Sequence, residues 1–241
     1  MHNLYTARSR KLSGDVFYTR GKRRSPWLTS LVAHWKLNES SGLRADSHGG
    51  NDLADFNTVT SAAGKIGSAA SFAGINEESL GAADNPALSM GDIDFTIALW
   101  VWFDTLDFTG LAGKWSTDST EYIAYFDGTN LRFHVSDDGV NNNSVVNSQA
   151  IAINTWYLFV GWHDATANTI NLSINNGATA STAHSTGVYD GDSALYFGRN
   201  EEGLTYFSGR LDSVSIWKRL LTAAERTQLY NSGSGLDYPF A

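Results

Sequence analysis

The 241-residue sequence contains no cysteine and only three prolines. Without cysteine, the chain has no disulfide, no thiolate metal site and no cysteine nucleophile. No apolar run approaches the length of a membrane span, and the first residues lack the continuous apolar segment of a secretory signal, so we expect neither feature. The six histidines show no metal-binding spacing. Stability must therefore come from a hydrophobic core.

Apolar residues and turn formers are abundant. The sequence is 42% hydrophobic and 12% aromatic, and it holds 23 glycines among many Asn, Asp, Ser and Thr residues. A chain of this length can bury a large core, and a single β domain of this size is more common than two small ones. Frequent turns between short apolar stretches indicate a β protein.

Charge is distributed unevenly between the two ends of the chain. The formal net charge is −8, but residues 1–28 carry +6 and the remainder carries −14. We predict a basic arm at residues 1–27 and one domain at residues 28–241. The arm is either an anchor that orders on a partner or a disordered leader. The candidate docking residues are Arg8, Arg10, Lys11, Phe17, Tyr18, Lys22, Arg23 and Arg24. The acidic body opposes nucleic-acid binding, which we do not expect.

Alternating apolar residues predict strands along most of the domain. Leu31, Ala33, Trp35 and Leu37 are expected on one side of the first strand. Residues 94–103 form the strongest strand, and because both its faces are apolar we place it at the centre of a covered sheet. Further strands are predicted at residues 64–72, 109–114, 121–127, 131–136, 154–164, 169–174 and 194–199. This pattern predicts an all-β, two-sheet antiparallel jelly-roll sandwich.

The C-terminal region predicts one strand and one short helix. Leu211, Val214 and Ile216 alternate with polar residues, with one break in phase. Thr222 and Glu225 have the spacing of a capping box, so we predict a helix over about residues 223–230. Glycines at positions 233 and 235 then end it.

Six blocks of this sequence combine a strand with a glycine- or aspartate-containing turn or a packing tryptophan. They are residues 31–42, 46–51, 67–72, 95–101, 154–156 and 209–225. As an ordered set covering about residues 30–237, they resemble the laminin-G-like (concanavalin A-like) jelly-roll domains of bacteria and phages. The cysteine pair of extracellular animal laminin-G domains is absent, which favours a microbial or viral setting. The basic arm has no counterpart in that family.

The resemblance also implies a calcium site. In related jelly rolls an aspartate of the final strand binds calcium together with groups near the first strand. This nominates Asp212, with Glu39 and Asp46 as partners. Hard cations bind carboxylate and carbonyl oxygens, which such loops supply. The alternative reading is that Asp212 accepts hydrogen bonds from a neighbouring turn.

Aromatic side chains make sugar binding a second candidate chemistry. A flat ring stacks on the apolar face of a pyranose, although an aromatic residue in a strand more often belongs to the core. Five aromatic residues lie near strand ends or loops: Trp115, Tyr122, Tyr125, Trp162 and Tyr206. We take Trp115, Tyr122, Trp162 and Tyr206 as the candidate ligand-binding positions. Trp115 has the most loop-like surroundings.

Catalysis is poorly supported by the sequence. Related laminarinase-type enzymes carry a Glu-x-Asp-x-x-Glu strand, which is absent here, and no Gly-x-Ser-x-Gly motif occurs. Asp92 and Asp94 are the only acidic pair that we weigh for glycan hydrolysis. We therefore expect a non-enzymatic domain that binds carbohydrate or mediates adhesion at a virion surface, docked to a capsid or tail protein by its arm. A decoration protein that binds no glycan and a glycan hydrolase are the alternatives.

Overall fold

The computed structural model describes residues 25–200 and 205–240, which form a two-sheet antiparallel sandwich with one short C-terminal helix. The predicted fold is confirmed. Within this described part, no helix is long and apolar enough to cross a membrane. The elements are, in chain order, β1 (Leu31–Trp35), β2 (Ala54–Phe56), β3 (Thr60–Ala63), β4 (Ser68–Phe72), β5 (Ser79–Ala82), β6 (Phe95–Phe103), β7 (Thr109–Lys114), β8 (Tyr122–Phe126), β9 (Leu131–Ser136), β10 (Asn142–Asn147), β11 (Trp156–Asp164), β12 (Thr169–Ile174), β13 (Ala180–Ala183), β14 (Leu195–Phe197), β15 (Gly209–Trp217) and α1 (Ala223–Tyr230).

The first sheet has the order β13-β12-β11-β6-β15-β4-β3, and β1 also pairs with β15. The second sheet has the order β10-β9-β8-β7-β14-β5-β2. The sequence pattern predicted the strongly apolar strands within two or three residues of their ends in most cases. It missed β2, β3, β5, β10 and β13, because these short strands are built largely of small or polar residues and show little alternation.

A bulge divides β15 and explains the break in its alternation. Ser213 has φ 51°, and the pairing of β15 with β6 shifts register between Asp212 and Ser215. Before the bulge β15 pairs with β4, and after it with β1. β15 therefore pairs with both β4 and β1 along the same edge, and Asp212 lies at the junction between these two strands.

One expectation for the start of the domain needs correction. Leu31 does not share a face with Ala33, because the β1–β15 pairing shifts register between them. Leu31 instead packs in the cluster outside the first sheet, whereas Ala33, Trp35 and Leu37 lie in the central core. Trp27, the last residue of the predicted arm, is buried against Trp217.

The inner faces of both sheets form the central core, and β6 lies in the middle of the first sheet as predicted. The outer face of the first sheet is covered by other parts of the chain: Trp27, α1 and the segment 236–240. The predicted helix is confirmed at Ala223–Tyr230, and Thr222 and Glu225 form its capping box. Asn231 adopts the left-handed conformation at the helix end, before the two predicted glycines.

Candidate functional site

The outer face of the second sheet carries aromatic rings that no hydrophobic cluster of the described residues covers. Strand alternation directs Ile123 and Tyr125 of β8 to this face, beside Arg132 and His134 of β9. Their strand neighbours Tyr122, Ala124, Phe126, Leu131, Phe133 and Val135 all belong to the central core. We call this surface the open face. It is the candidate functional site.

An apolar cavity of about 220 Å³ lies on the open face. It is lined by Phe108, Trp115, Ile123, Tyr125, His134, Asn142 and Asn200. We call it the aromatic groove. The His134 ring lies 4.3 Å from the Tyr125 ring and 5.5 Å from the Trp115 ring, centroid to centroid. Phe108 lies 5.9 Å from Tyr125 and remains 48% exposed. The groove therefore combines rigid, packed rings with an accessible rim.

Two glycines leave space free of side chains on the surface of the second sheet. Gly113 is opposite Ile123 in the register, and a Cβ there would lie 2.3 Å from a backbone oxygen of β8. On the adjoining strands, a Cβ at Gly81 would lie 2.7 Å from the Tyr196 ring. Both contacts are closer than real Cβ atoms approach, so side chains are excluded from these positions. The aromatic rings can then lie along the sheet surface.

The polar atoms of the groove are neutral near pH 7. The Tyr125 hydroxyl and Nε2 of His134 are hydrogen-bonded at 2.7 Å. Burial, helped by the positive charge of Arg132, lowers the pKa of His134 to about 4. Burial raises the pKa of Tyr125 to about 12. The hydroxyl and the imidazole therefore act as neutral hydrogen-bonding groups beside an apolar surface.

A buried ion pair fixes the hairpin that carries Trp115. Lys114, which ends β7, has no exposed side-chain surface, and its Nζ lies 2.5 Å from Oε1 of Glu121 and 2.7 Å from Oδ1 of Asp84. Burial raises the pKa of Glu121 to about 7, although Lys114 opposes the shift. Glu121 also donates its backbone N–H to the Lys114 carbonyl. These contacts close the base of the 115–121 loop and hold Trp115 at the groove.

Of the four predicted ligand-binding residues, only Trp115 lines the groove. Tyr122 is fully buried and donates its hydroxyl to the Leu88 carbonyl, so no surface remains for a sugar. Trp162 lies under Arg226 outside the first sheet, with 7% of its surface exposed. Tyr206 pairs with Arg199 in an isolated bridge near the groove but does not line it. Phe108, Tyr125 and His134 also line the groove but were not among the four candidates.

Each of the three proposed calcium ligands accepts at least one backbone N–H. Oδ2 of Asp212 accepts from the backbone N–H groups of Lys65 and Ile66, at 2.7 and 2.8 Å. Both oxygens of Asp46 accept N–H groups, and Oε1 of Glu39 accepts the N–H of Ala45. Over residues 25–200 and 205–240, no group of three His, Asp or Glu side chains is placed to hold a metal. The other oxygens, Oδ1 of Asp212 and Oε2 of Glu39, are buried and have no hydrogen-bond partner among the described residues. Oxygens of this kind are the ligands that calcium takes, so the calcium site stays a prediction.

The remaining predicted residues lie elsewhere. Asp94 accepts the backbone N–H of Ala165 at 3.0 Å, and neither it nor Asp92 lines the aromatic groove. The docking residues Arg8, Arg10, Lys11, Phe17, Tyr18, Lys22, Arg23 and Arg24 fall outside the described residues.

Two antiparallel sheets, packed face to face with a groove on one outer surface, define a jelly-roll domain. The chain matches a laminin-G family model, described as the concanavalin A-like lectin/glucanases superfamily, over residues 78–225. It belongs to that superfamily. No curated protein sequence matches the chain.

Solved structures support the same fold. The binding domain of Paraclostridial Mosquitocidal Protein 1 superposes with a TM-score of 0.70 at 20% identity, covering 86% of this chain and 53% of that one. Domain 4 of an extracellular arabinanase from Geobacillus stearothermophilus, solved with arabinotriose, gives 0.59 at 18% identity, with 82% and 97% covered. Botulinum neurotoxin type C, whose cell entry depends on two ganglioside molecules, gives 0.64 at 12%, with 84% and 51% covered. This chain thus spans about half of the toxin chains.

Proposed function

We propose that this domain binds carbohydrate without catalysis and that the aromatic groove is its binding site. The observation that carries the proposal is the set of rings around the groove. Phe108, Trp115 and Tyr125 offer apolar surfaces to a sugar ring, and His134 and Asn142 supply polar atoms at the edge. Binding sites of this kind combine an apolar surface with a few well-placed polar groups.

The comparisons support a binding role. One similar domain was solved with an arabinotriose, another belongs to a toxin that depends on gangliosides, and a third is itself a toxin binding domain. Their identity to this chain is 20% or lower, so they support the general class of function and leave the sugar open.

The test is a glycan array followed by titration calorimetry on the best neutral glycan. We expect Trp115→Ala to weaken binding by about tenfold or more, as removal of a central aromatic contact does. Trp102→Ala is the matched control, because this half-buried tryptophan lies outside the first sheet under Arg210. Equal binding by wild type and Trp115→Ala would exclude the groove as the site.

We further propose that the domain is displayed on a larger assembly, such as a virion, through its basic arm. The described chain begins beside Trp27, which packs outside the first sheet, on the side opposite the open face. An arm bound at this end would leave the aromatic groove pointing outward. Deleting residues 1–24 should abolish incorporation into particles and preserve glycan binding. A decoration role is favoured instead if no glycan binds and removal of the domain destabilises the particle.

A further inference from the structure

A second cavity adjoins the aromatic groove and has the opposite character. It has a volume of about 300 Å³ and lies where the β9–β10 loop meets the segment after β13. Its lining includes Asp137, Asn143, His184 and Thr186, and it shares Asn142 with the aromatic groove. We call it the polar cavity. One exposed amide therefore borders both cavities.

The polar cavity has hydrogen-bonded side chains along its inner wall and exposed side chains at its opening. His184 is 6% exposed, and its Nε2 contacts the Gly187 carbonyl while its Nδ1 faces the amide of Asn143. The same amide donates to the Ala183 carbonyl at 2.8 Å. At the front, the side chains of Asp137 and Thr186 are exposed, and neither makes a hydrogen bond with another described residue. Preorganised groups behind free acceptors and donors suit a polyhydroxylated ligand.

The combined volume of the two cavities indicates that they form one binding site. Ligand sites are typically clefts of about 300–1,000 Å³. The aromatic groove alone, at about 220 Å³, falls below that range, and the two cavities combined fall within it. A single sugar on the rings would leave the polar cavity empty. A chain of sugars crossing Asn142 would occupy both.

The charge of the lining selects against acidic sugars. None of the described residues that line either cavity is an arginine or lysine, and Asp137 adds a carboxylate. The arginines elsewhere on the open face are engaged: Arg132 pairs with Asp127, and Arg199 stacks 3.6 Å above the Tyr196 ring. A uronate or sialic acid in the polar cavity would face Asp137 without a counter-charge.

We propose that the ligand is a linear, neutral oligosaccharide of at least two units, with one sugar stacked in the aromatic groove and the next held in the polar cavity across Asn142. This inference rests on the proposed function, since it assumes that the groove binds sugar. The aromatic groove supplies most of the affinity for a single unit. The polar cavity supplies the gain with chain length.

The experiment measures affinity against chain length. The probes are mono- to pentasaccharides of the gluco-, manno-, xylo- and arabino- series, titrated into the full chain, with sialyllactose and oligogalacturonate as acidic probes. In the series that binds, we expect the di- or trisaccharide to bind at least tenfold more tightly than the monosaccharide. The double variant Asp137→Ala/Thr186→Ala should abolish this gain and leave monosaccharide affinity unchanged. Gln228→Ala, an exposed position on α1, is the control.

The outcomes separate the two proposals. The two-cavity inference is wrong if binding needs Trp115 but its affinity does not change with chain length. It is also wrong if the gain in affinity with chain length survives the double variant. In both cases the aromatic groove remains the proposed binding site. Tighter binding of the acidic probes than of neutral ones overturns the neutral class. If the wild type binds none of the sugars, the proposed function is wrong and this inference is wrong with it.

Discussion

The two outer faces of the sandwich contrast sharply although both are rich in aromatic residues. Outside the first sheet, Trp100 stacks on Tyr230, and Trp217 is enclosed by Trp27 and Phe240. On the open face, Phe108 and Trp115 pack against other rings on one side only and border a cavity on the other. Trp27, α1 and the segment 236–240 cover one face, and no described residue covers the other face in this way.

This difference separates aromatic residues that hold the fold from those available to a ligand. The rings outside the first sheet join α1 and the terminal segments to the sheet, so their burial stabilises the domain. The groove rings retain exposed surface that folding alone does not require. In this chain the residue type of an aromatic ring therefore does not indicate its role, whereas the residues that pack against the ring do.

The largest predicted effect is on stability when a covered ring is removed. Trp217 is fully buried, and its indole N–H donates to the Trp27 carbonyl at 2.9 Å. Trp217→Ala should lower the free energy of unfolding by about 3–5 kcal/mol, measured by urea denaturation. Phe108→Ala, on the open face, should change it by less than about 0.5 kcal/mol.

If the two variants lose similar amounts of stability, the open face contributes to the fold as much as the covered one. Sugar binding by the Trp217→Ala variant under native conditions would show that the groove survives damage to the opposite side of the sandwich.

A smaller effect is expected at Asp212, which lies in the first sheet between β1 and β4. Asp212→Ala leaves the N–H groups of Lys65 and Ile66 without their acceptor, which should cost about 1–3 kcal/mol of stability. Asp212→Asn keeps an acceptor and should cost less. A calcium-dependent increase in the melting temperature of the wild type that Asp212→Ala removes would support the metal site implied by the family resemblance. An unchanged melting temperature would contradict it.

The sequence carried enough information to place Tyr122 and Tyr125 on opposite faces of the second sheet. The turn at residues 127–130 fixes the β8–β9 hairpin, in which Tyr125 pairs with Arg132 and Ile123 with His134. Cross-strand partners share a face, and β9 alternates apolar Leu131, Phe133 and Val135 with polar residues. Applied to the hairpin, this alternation places Tyr125 outside and Tyr122 inside. The prediction treated each ring alone and therefore selected Tyr122, which is buried, rather than Tyr125, which lines the groove.

Other features could not be read from sequence pattern. The groove joins Phe108, Trp115 and Asn200, which are brought together only by the pairing of β7 with β8 and β14. Asp212 was nominated from the family resemblance, but its hydrogen-bond partners depend on the point along β15 where pairing with β4 ends and pairing with β1 begins. Local periodicity found the elements. Long-range pairing decided which side chains meet.

The smallest predicted effect is the pH dependence of stability, because buried groups on the two faces oppose one another. Burial, reinforced by the charge of Lys36, lowers the pKa of His34 to about 3 beneath the covering segment, and His134 of the groove has a pKa of about 4. Both values lie below the unfolded pKa near 6.5, so the stability these histidines contribute is present above pH 6.5 and is lost as the pH falls. Burial raises the pKa of Asp212 and of Glu121 to about 7, so the folded carboxyls take up protons before the unfolded ones do.

Between pH 6.5 and pH 4.5 the unfolded histidines and the folded carboxyls therefore bind similar numbers of protons, and the urea midpoint of the wild type should stay nearly constant. Single variants break this balance in opposite directions. Asp212→Asn should make the protein less stable as the pH falls across this window, because the two histidines are then opposed by Glu121 alone. His134→Gln should make it more stable as the pH falls, because only His34 opposes the carboxyls. If both variants show the wild-type slope, the histidine on the open face and the aspartate in the covered sheet do not titrate as their surroundings require.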